Sequence, residues 1–320
     1  MKKSLRFVLM IALSTLVPLD VYSHDHDHDH DHEESLQTIE FVIPSKPGGG
    51  WDNLARSSGQ TLYDLGLLKN VVYTNMPGDA SLKAQRYVLE ANKPSRVLAH
   101  SSSVVVNQLK GRSPGYESFQ PVAAVGGDYF AWFVSPKSPI SDFKSLMELA
   151  KKRPIRVGGG VGRQSEILTA SVFLGAGIPL SQIEYKVVRP KQMVKALAAG
   201  EIDVVAYGLS IGLPYLDRGE MNIIGHSSKS TIKGVDTKSL RDQGIDFEFV
   251  NYRLFMVSKD IDEEPLELLR DTLKEMYKSD DWKSVVSKNR WVYDFKSGDE
   301  LKQILDKQAL SMADSIKKLY

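Results

Sequence analysis

The stretch "FVIPSKPGGGWDNLAR" (41–56) limits the fold of this chain more than any other. Ile39, Phe41 and Ile43 alternate with other residues at the two-residue period of a strand that buries one face. Pro44, Pro47 and three successive glycines then punctuate a tight loop. Asp52 is placed to cap an amphipathic helix running to about Leu65. Strand, glycine loop and helix in that order require a sheet with helices packed on it.

The pattern recurs. "NVVYTNMPG" (70–78) is a strand and turn followed by a helix to about Asn92, and "RVLAHSSSVVVNQL" is a strand, a serine loop and a short helix. "VAAVGG", "AWFVSP", "IRVGG", "IEYKVV" and "IDVVAY" are further strands, with helices at "FKSLMELAKKRP", after "IRVGG" to about Gly175, and at "QMVKALAAG". The last third predicts a strand from Phe247 to Val257 and helices over 264–278 and 298–318. This is α/β throughout, with mainly parallel sheets expected. A length of 320 residues suits two domains. The glycine triplets at 48–50 and 158–160 suggest one loop per domain, facing each other across a cleft.

Residues 1–23, "MKKSLRFVLMIALSTLVPLDVYS", read as a cleaved secretory signal. Lys2, Lys3 and Arg6 form a positive start, Phe7 to Val17 an apolar run, and Val21-Tyr22-Ser23 a cleavage site. The apolar run is shorter than the ~20 residues that span a bilayer. With no cysteine there is no lipoprotein attachment and no disulfide, so a periplasmic protein is expected. A net charge of +1 gives no basic field and argues against nucleic acid as a partner. Nothing predicts an obligate oligomer, and a monomer is expected.

Five of the seven histidines lie in "HDHDHDHDHEE", at His24, His26, His28, His30 and His32. Imidazoles interleaved with carboxylates suit zinc, copper or nickel. Cleavage after Ser23 would make His26 the third residue of the mature chain, where an amine, two amides and an imidazole can wrap Cu(II) or Ni(II). A low-complexity charged leader over 24–37 fits the same residues, because such tracts bury no core. The rest of the chain holds only His100 and His226, which makes a closed metal site in the folded body improbable.

Catalytic motifs mostly fail. Gly158-x-Gly160 is followed by Arg163 where a dinucleotide loop needs glycine, and no Gly-Lys-Ser/Thr is present. "GLSIG" (208–212) satisfies the serine-nucleophile motif, but Pro214 is expected to interrupt its helix early, and Asp217 and His226 follow Ser210 too closely. No enzyme activity is expected. What survives is anion binding: "PGGGWDN" and "GGGVGRQS" each open a helix, whose amides and dipole favour negative charge. Two such cradles suit a small carboxylate, with Arg163 as a bidentate clamp.

These segments together resemble the substrate-binding receptors of tripartite tricarboxylate transporters, the TctC/Bug-like family. The likeness runs from "FVIPSKPGGGWDNLAR" through "FQPVAAVGGDYFAWFVSPKSPISDFKSLMELAKKRP" and "IRVGGGVGRQSEILTASVF" to "FVNYRLFMVSKDIDEEPLELLRDTLKEMYKSDDW", over about 38–320. The resemblance implies a two-lobed periplasmic-binding-protein fold, a type II-like Venus flytrap with the ligand cleft between its lobes. Lobe 1 would take 38–135 plus 247–320, and lobe 2 136–246. It also implies capture of a small carboxylate, closure around it, and delivery to integral-membrane transporter subunits. Carried over, the ligand contacts are Gly48, Gly49, Gly50, Trp51 and Asp52 on one side, facing Gly160, Gly162, Arg163, Gln164 and Ser165, with Ser101, Ser102 and Ser103 as lesser candidates.

The chain departs from the family at the cleft. Pro77-Gly78-Asp79-Ala80-Ser81 stands where the family has Pro-Gly-Ala-Gly-Gly, Arg163 replaces a small hydroxyl residue, and Tyr207-Gly208 replaces an Asp-Asn pair. "VVRPKQ" (187–192) is longer than the usual turn. Asp79 fits either a turn residue bonded to its own backbone or a site for an amine or metal-complexed acid. Trp51, Tyr129, Trp132 and Tyr207 are candidates to line the cleft. Two other functions fit the same residues: a periplasmic metal or metal–carboxylate protein using the histidine run, and a ligand receptor for a sensor kinase.

Overall fold

The computed structural model describes residues 37–112, 114–160 and 164–319. In chain order, β1 (Thr38–Ile43), α1 (Gly50–Asp64), β2 (Asn70–Asn75), α2 (Leu82–Ala91), β3 (Arg96–Ser101), α3 (Val104–Leu109) and β4 (Phe119–Gly126) form the first part. There follow β5 (Phe130–Val134), α4 (Phe143–Ala150), β6 (Ile155–Gly159), α5 (Gln164–Gly175) and β7 (Ile183–Val187). α6 (Met193–Ala198), β8 (Val204–Gly208), α7 (Leu209–Asp217) and β9 (Asn222–His226) complete the middle. The chain ends with β10 (Arg253–Ser258), α8 (Glu263–Lys278), α9 (Asp280–Lys288), β11 (Lys296–Ser297) and α10 (Gly298–Leu319).

Two sheets result, ordered β11-β4-β10-β3-β1-β2 and β7-β6-β8-β5-β9. The α/β, two-lobed expectation holds, but both sheets are mixed and not mainly parallel. β1 runs parallel to β2 and β3, and β6 to β7 and β8. β10 and β5 are antiparallel to their neighbours. Parallel neighbours need a helical crossover. β5 and β10 enter their sheets directly from segments that cross between the lobes, so neither has one.

β5 belongs to the second sheet, so the chain leaves the first between Gly126 and Phe130, ahead of the expected boundary at 135. The expected strand from Phe247 starts only at Arg253, because residues before it form the return crossing. The two crossings lie side by side. Asp128 N–H donates to Asn251 O (3.1 Å) and Asn251 N–H to Asp128 O (2.8 Å). Tyr129 bridges Val250, and the buried Ser227 hydroxyl accepts from Phe130 N–H and donates to Phe249 O.

β1 is buried on both faces, as a layered α/β sheet requires. Ile39, Phe41 and Ile43 meet Leu54, Leu62, Leu266, Leu273 and Trp282 on one side, while Val42 and Leu98 face the other. That second core is continuous. It runs from Val42 and Leu98 through Leu301, Leu305 and Met312 of α10 to Ile167 and Phe173 of α5 in the other lobe. α5 is apolar nearly all round because α10 covers the side that the second sheet does not. Ser171 and Ser315 hydrogen-bond across that contact at 2.8 Å.

The short helix α9 escapes a periodicity reading, yet it seats the fully buried Trp282, whose Nε1–H donates to Val125 O at 2.8 Å. Ser279 caps it by accepting from Trp282 N–H. Replacing Trp282 by Ala removes that bond and leaves a cavity beneath the first sheet. Urea unfolding of Trp282→Ala is expected to show a loss of about 3–5 kcal/mol.

Candidate ligand-binding site

α1 begins at Gly50 with Gly49 as its N-cap, not Asp52, and no side chain caps it. The first-turn amides of a helix have no acceptor within the helix. α4 and α9, by contrast, are capped by Asp142 and Ser279. Gly48 takes φ 81°, a left-handed turn that favours glycine. Asp52 is buried and turned back onto the loop: its carboxylate accepts from Gly48 N–H (2.8 Å), Arg56 Nε (3.0 Å) and Asn75 Nδ2 (2.9 Å). Burial acts to raise its pKa. Hydrogen bonds from Asn75, Gly48 and Arg56 outweigh that and hold it below the usual carboxylate value.

Trp51 stacks on the buried His100, with ring centroids 4.3 Å apart, and its Nε1–H reaches Ser101 Oγ at 3.3 Å. Ser102 is fully buried and turned to the crossing strand, accepting from Tyr252 N–H at 3.0 Å. After β2, Gly78, Asp79, Ala80 and Ser81 all take positive φ, three of them non-glycine. Such residues are held only where the surroundings determine them. Here Asn107 Nδ2 donates to Ala80 O (2.6 Å), Gln85 to Ser81 Oγ (2.7 Å), and Asp79 pairs with Arg86 (3.3 Å).

In the second lobe the matching loop follows β6. A Cβ on Gly159 would lie 2.5 Å from Tyr185 Oη and 2.6 Å from Ser165 Cβ, so only glycine fits. Gly160 N–H donates to Ser165 Oγ (3.1 Å), and Gly160 O accepts from Tyr185 (2.9 Å). Tyr207 packs against Gly160 and donates to Val188 O at 2.6 Å. Gln164 opens α5, and its Nε2 is buried without a hydrogen-bond partner. Gly162 and Arg163 lie outside the described residues, as do His24, His26, His28, His30 and His32 and the signal segment. Among the described residues no group of three or more His, Asp or Glu side chains is set to hold a metal, and no helix is long and apolar enough to cross a membrane.

Trp132 is not a cleft residue. It is fully buried, bonded to Thr169 Oγ1 (3.0 Å) and packed edge-on against Phe130, Phe143 and Phe247, because β5 carries it into the core of the second lobe. Pro214 does not stop α7, which runs to Asp217. Its missing N–H would have bonded only Ser210, in the first turn. Ser210 N–H and Oγ both donate to Asp128, at 3.0 and 2.6 Å, so the serine of "GLSIG" serves the crossing segment.

Sequence reasoning missed the residues that join the lobes: Asp128, Ser210, Arg253, Trp291 and the pair Arg290–Asp217 (2.5 Å). Asp128, Tyr129, Asp217, Arg290 and Trp291 border a cavity of about 470 Å3 between the lobes. The available signal was a lone charge at the end of an apolar strand, Asp128 after "VAAVGG" and Arg253 before "LFMVS".

No family model matches the chain. It is 30% identical over 163 residues to the protein BugT of Bordetella pertussis, covering 46% of this chain and 48% of BugT, so the match spans about half the length of that relative. A TctC solute-binding protein from Polaromonas has the same fold, with a TM-score of 0.75 at 20% identity over 88% of this chain and 98% of that one. MatC of Rhodopseudomonas palustris, solved with bound malate, matches with a TM-score of 0.71 at 14% identity over 88% of this chain and 99% of its own. These comparisons bear out the resemblance to the TctC/Bug-like receptors and the two-lobed solute-binding fold.

Burial lowers the His100 pKa from 6.5 to about 4, against a hydrogen bond to Ser101 O that acts to raise it. The folded value lies below the unfolded one, so the unfolded chain takes up the proton first. The stability this provides is complete above pH 6.5 and is lost as the pH falls towards 4, by about 3 kcal/mol in all. Urea midpoints between pH 7 and 4 are expected to drop less steeply in His100→Gln than in the parent, with the buried His226 unchanged in both.

Proposed function

We propose that this chain, similar in sequence and fold to the TctC/Bug-like solute-binding proteins, is a periplasmic receptor without catalytic activity that captures a small carboxylate. It presents the ligand to the membrane subunits of a tripartite tricarboxylate-type transporter. The observation that carries this reading is the uncapped start of α1 behind the Gly48–Gly50 loop, at the end of β1. Its open amides and positive dipole end suit a carboxylate. In the second lobe, Gly159 and Gly160 at the end of β6 and Gln164 and Ser165 at the start of α5 are the candidates for the second set of contacts. Malate bound to MatC, a protein of the same fold, supports the ligand class, and the signal-like residues 1–23 support export.

Release from the cleft requires the lobes to part, and the two paired crossings act as the hinge. The Arg290–Asp217 pair, one residue from each lobe, breaks on opening and forms again on closure. Its residues are half exposed, so it sets the direction of closure more than its energy.

Calorimetry against malate, succinate, adipate, citrate, aromatic acids and amino acids tests the reading. At least one di- or tricarboxylate is expected to bind with a Kd of about 1 μM or tighter, near −8 kcal/mol, and to reduce the radius of gyration in solution scattering. Binding only to amines, or to none of these acids, would overturn it.

A further inference from the structure

Arg253 opens β10 between the ends of two neighbouring strands, in register with Ser101 of β3 and Gly126 of β4. Its guanidinium lies over the Trp291 ring, 5.4 Å from the centroid. A Cβ on Gly50 would sit 3.5 Å from its Nη1, so the side chain reaches from the crossing segments to the first residue of α1. Asp128 and Trp291, which flank it, both border the cavity between the lobes.

This cation is buried and poorly satisfied. Its side chain is 11% exposed, and its Nε is buried with no hydrogen-bond partner. The nearest carboxylate, Asp128 Oδ2, stands 3.6 Å from Nη2, beyond hydrogen-bond range. Asp128 already accepts two hydrogen bonds from Ser210. Burial lowers the Arg253 pKa despite the Asp128 charge, and burial raises that of Asp128 despite Arg253 and Ser210. In both cases the attraction of the partner falls short of the cost of burial. A guanidinium presents five donors in a planar fork that matches a carboxylate, and here that fork adjoins helix amides that also favour an anion.

We propose that Arg253 is the specificity-determining cation of the site, pairing through its Nη atoms with a ligand carboxylate held against the start of α1. Asp128 positions the guanidinium from the crossing segment without neutralising it. This rests on the receptor reading above and sharpens it. The ligand places one carboxylate deep at the hinge, and acids are separated from their neutral amides by charge as well as by shape. Asp79, exposed and paired with Arg86 on the β2–α2 loop, takes no part in that selection.

The test compares the diacid among malate, succinate and adipate that binds tightest with its diamide, using the purified protein and the variants Arg253→Met and Arg253→Lys. The parent is expected to prefer the diacid by about 100-fold or more. Arg253→Met should lose at least tenfold of that preference and Arg253→Lys less. A change in fold alone would weaken both ligands alike and leave the ratio unmoved. An unchanged ratio in Arg253→Met, with the diacid still bound by the parent, overturns the role of Arg253 and leaves the receptor reading standing. Failure of the parent to bind any diacid overturns both. A crystal structure of the parent with the diacid decides the matter even if a variant does not fold. A carboxylate oxygen about 3 Å from Nη1 or Nη2 supports the assignment, and carboxylates bound only elsewhere refute it.

Discussion

Two backbone hydrogen bonds, exchanged between Asp128 and Asn251, hold together the only places where the described chain passes from one sheet to the other. A crossing segment leaves the ladder of one sheet before it joins the next, so its amides and carbonyls need partners of their own. The two crossings exchange one pair of these bonds, Asp128 with Asn251, and Gly127 exchanges another pair with Val292. Buried serines supply others: Ser227 joins Phe130 to Phe249, and Ser102 takes the amide of Tyr252. Moving either crossing by one residue would unpair several buried groups together. One crossing carries Asp128 and the other leads directly into Arg253, so a shift in their pairing would move both charges.

The charged groups near the cleft fall into two kinds. Asp52 is surrounded by donors from Gly48, Arg56 and Asn75, and its charge is spent in shaping the glycine loop. Arg253 is the opposite case, a charge carried into the interior with its donors left over. Buried ions in proteins are commonly paired and hydrogen-bonded. An ion placed at a cleft without full pairing has its remaining capacity available to something that arrives from solvent.

The local order of strand, glycine loop and helix was legible from residues 39–56 and again from 155–175, because alternation, glycine clusters and helical periods are short-range signals. The α/β class followed directly. The direction of β5 and β10 was not legible, since it depends on which sheet receives them, and that is decided by pairing far along the chain. Trp132 shows the same limit: its side of β5 faces the core only because β5 joins β8 and β9. The cap of α1 was misplaced by three residues because Asp52 has the right chemistry for a cap but finds better partners in the loop. Asp128 and Arg253 stand 125 positions apart, too far for any local pattern to connect them.

α10 lies against β4 of one lobe and α5 of the other, within an apolar core shared by both. Parting the lobes along α10 would bring that core into water at about 25 cal/mol for each Å2 of apolar surface, whereas the half-exposed Arg290–Asp217 pair beside the crossings costs little to break. The lobes are therefore held far more firmly by that shared core than by the ion pair. Relative motion of the lobes is restrained on the α10 side, where β4 and α5 are both held, whatever the crossing segments allow.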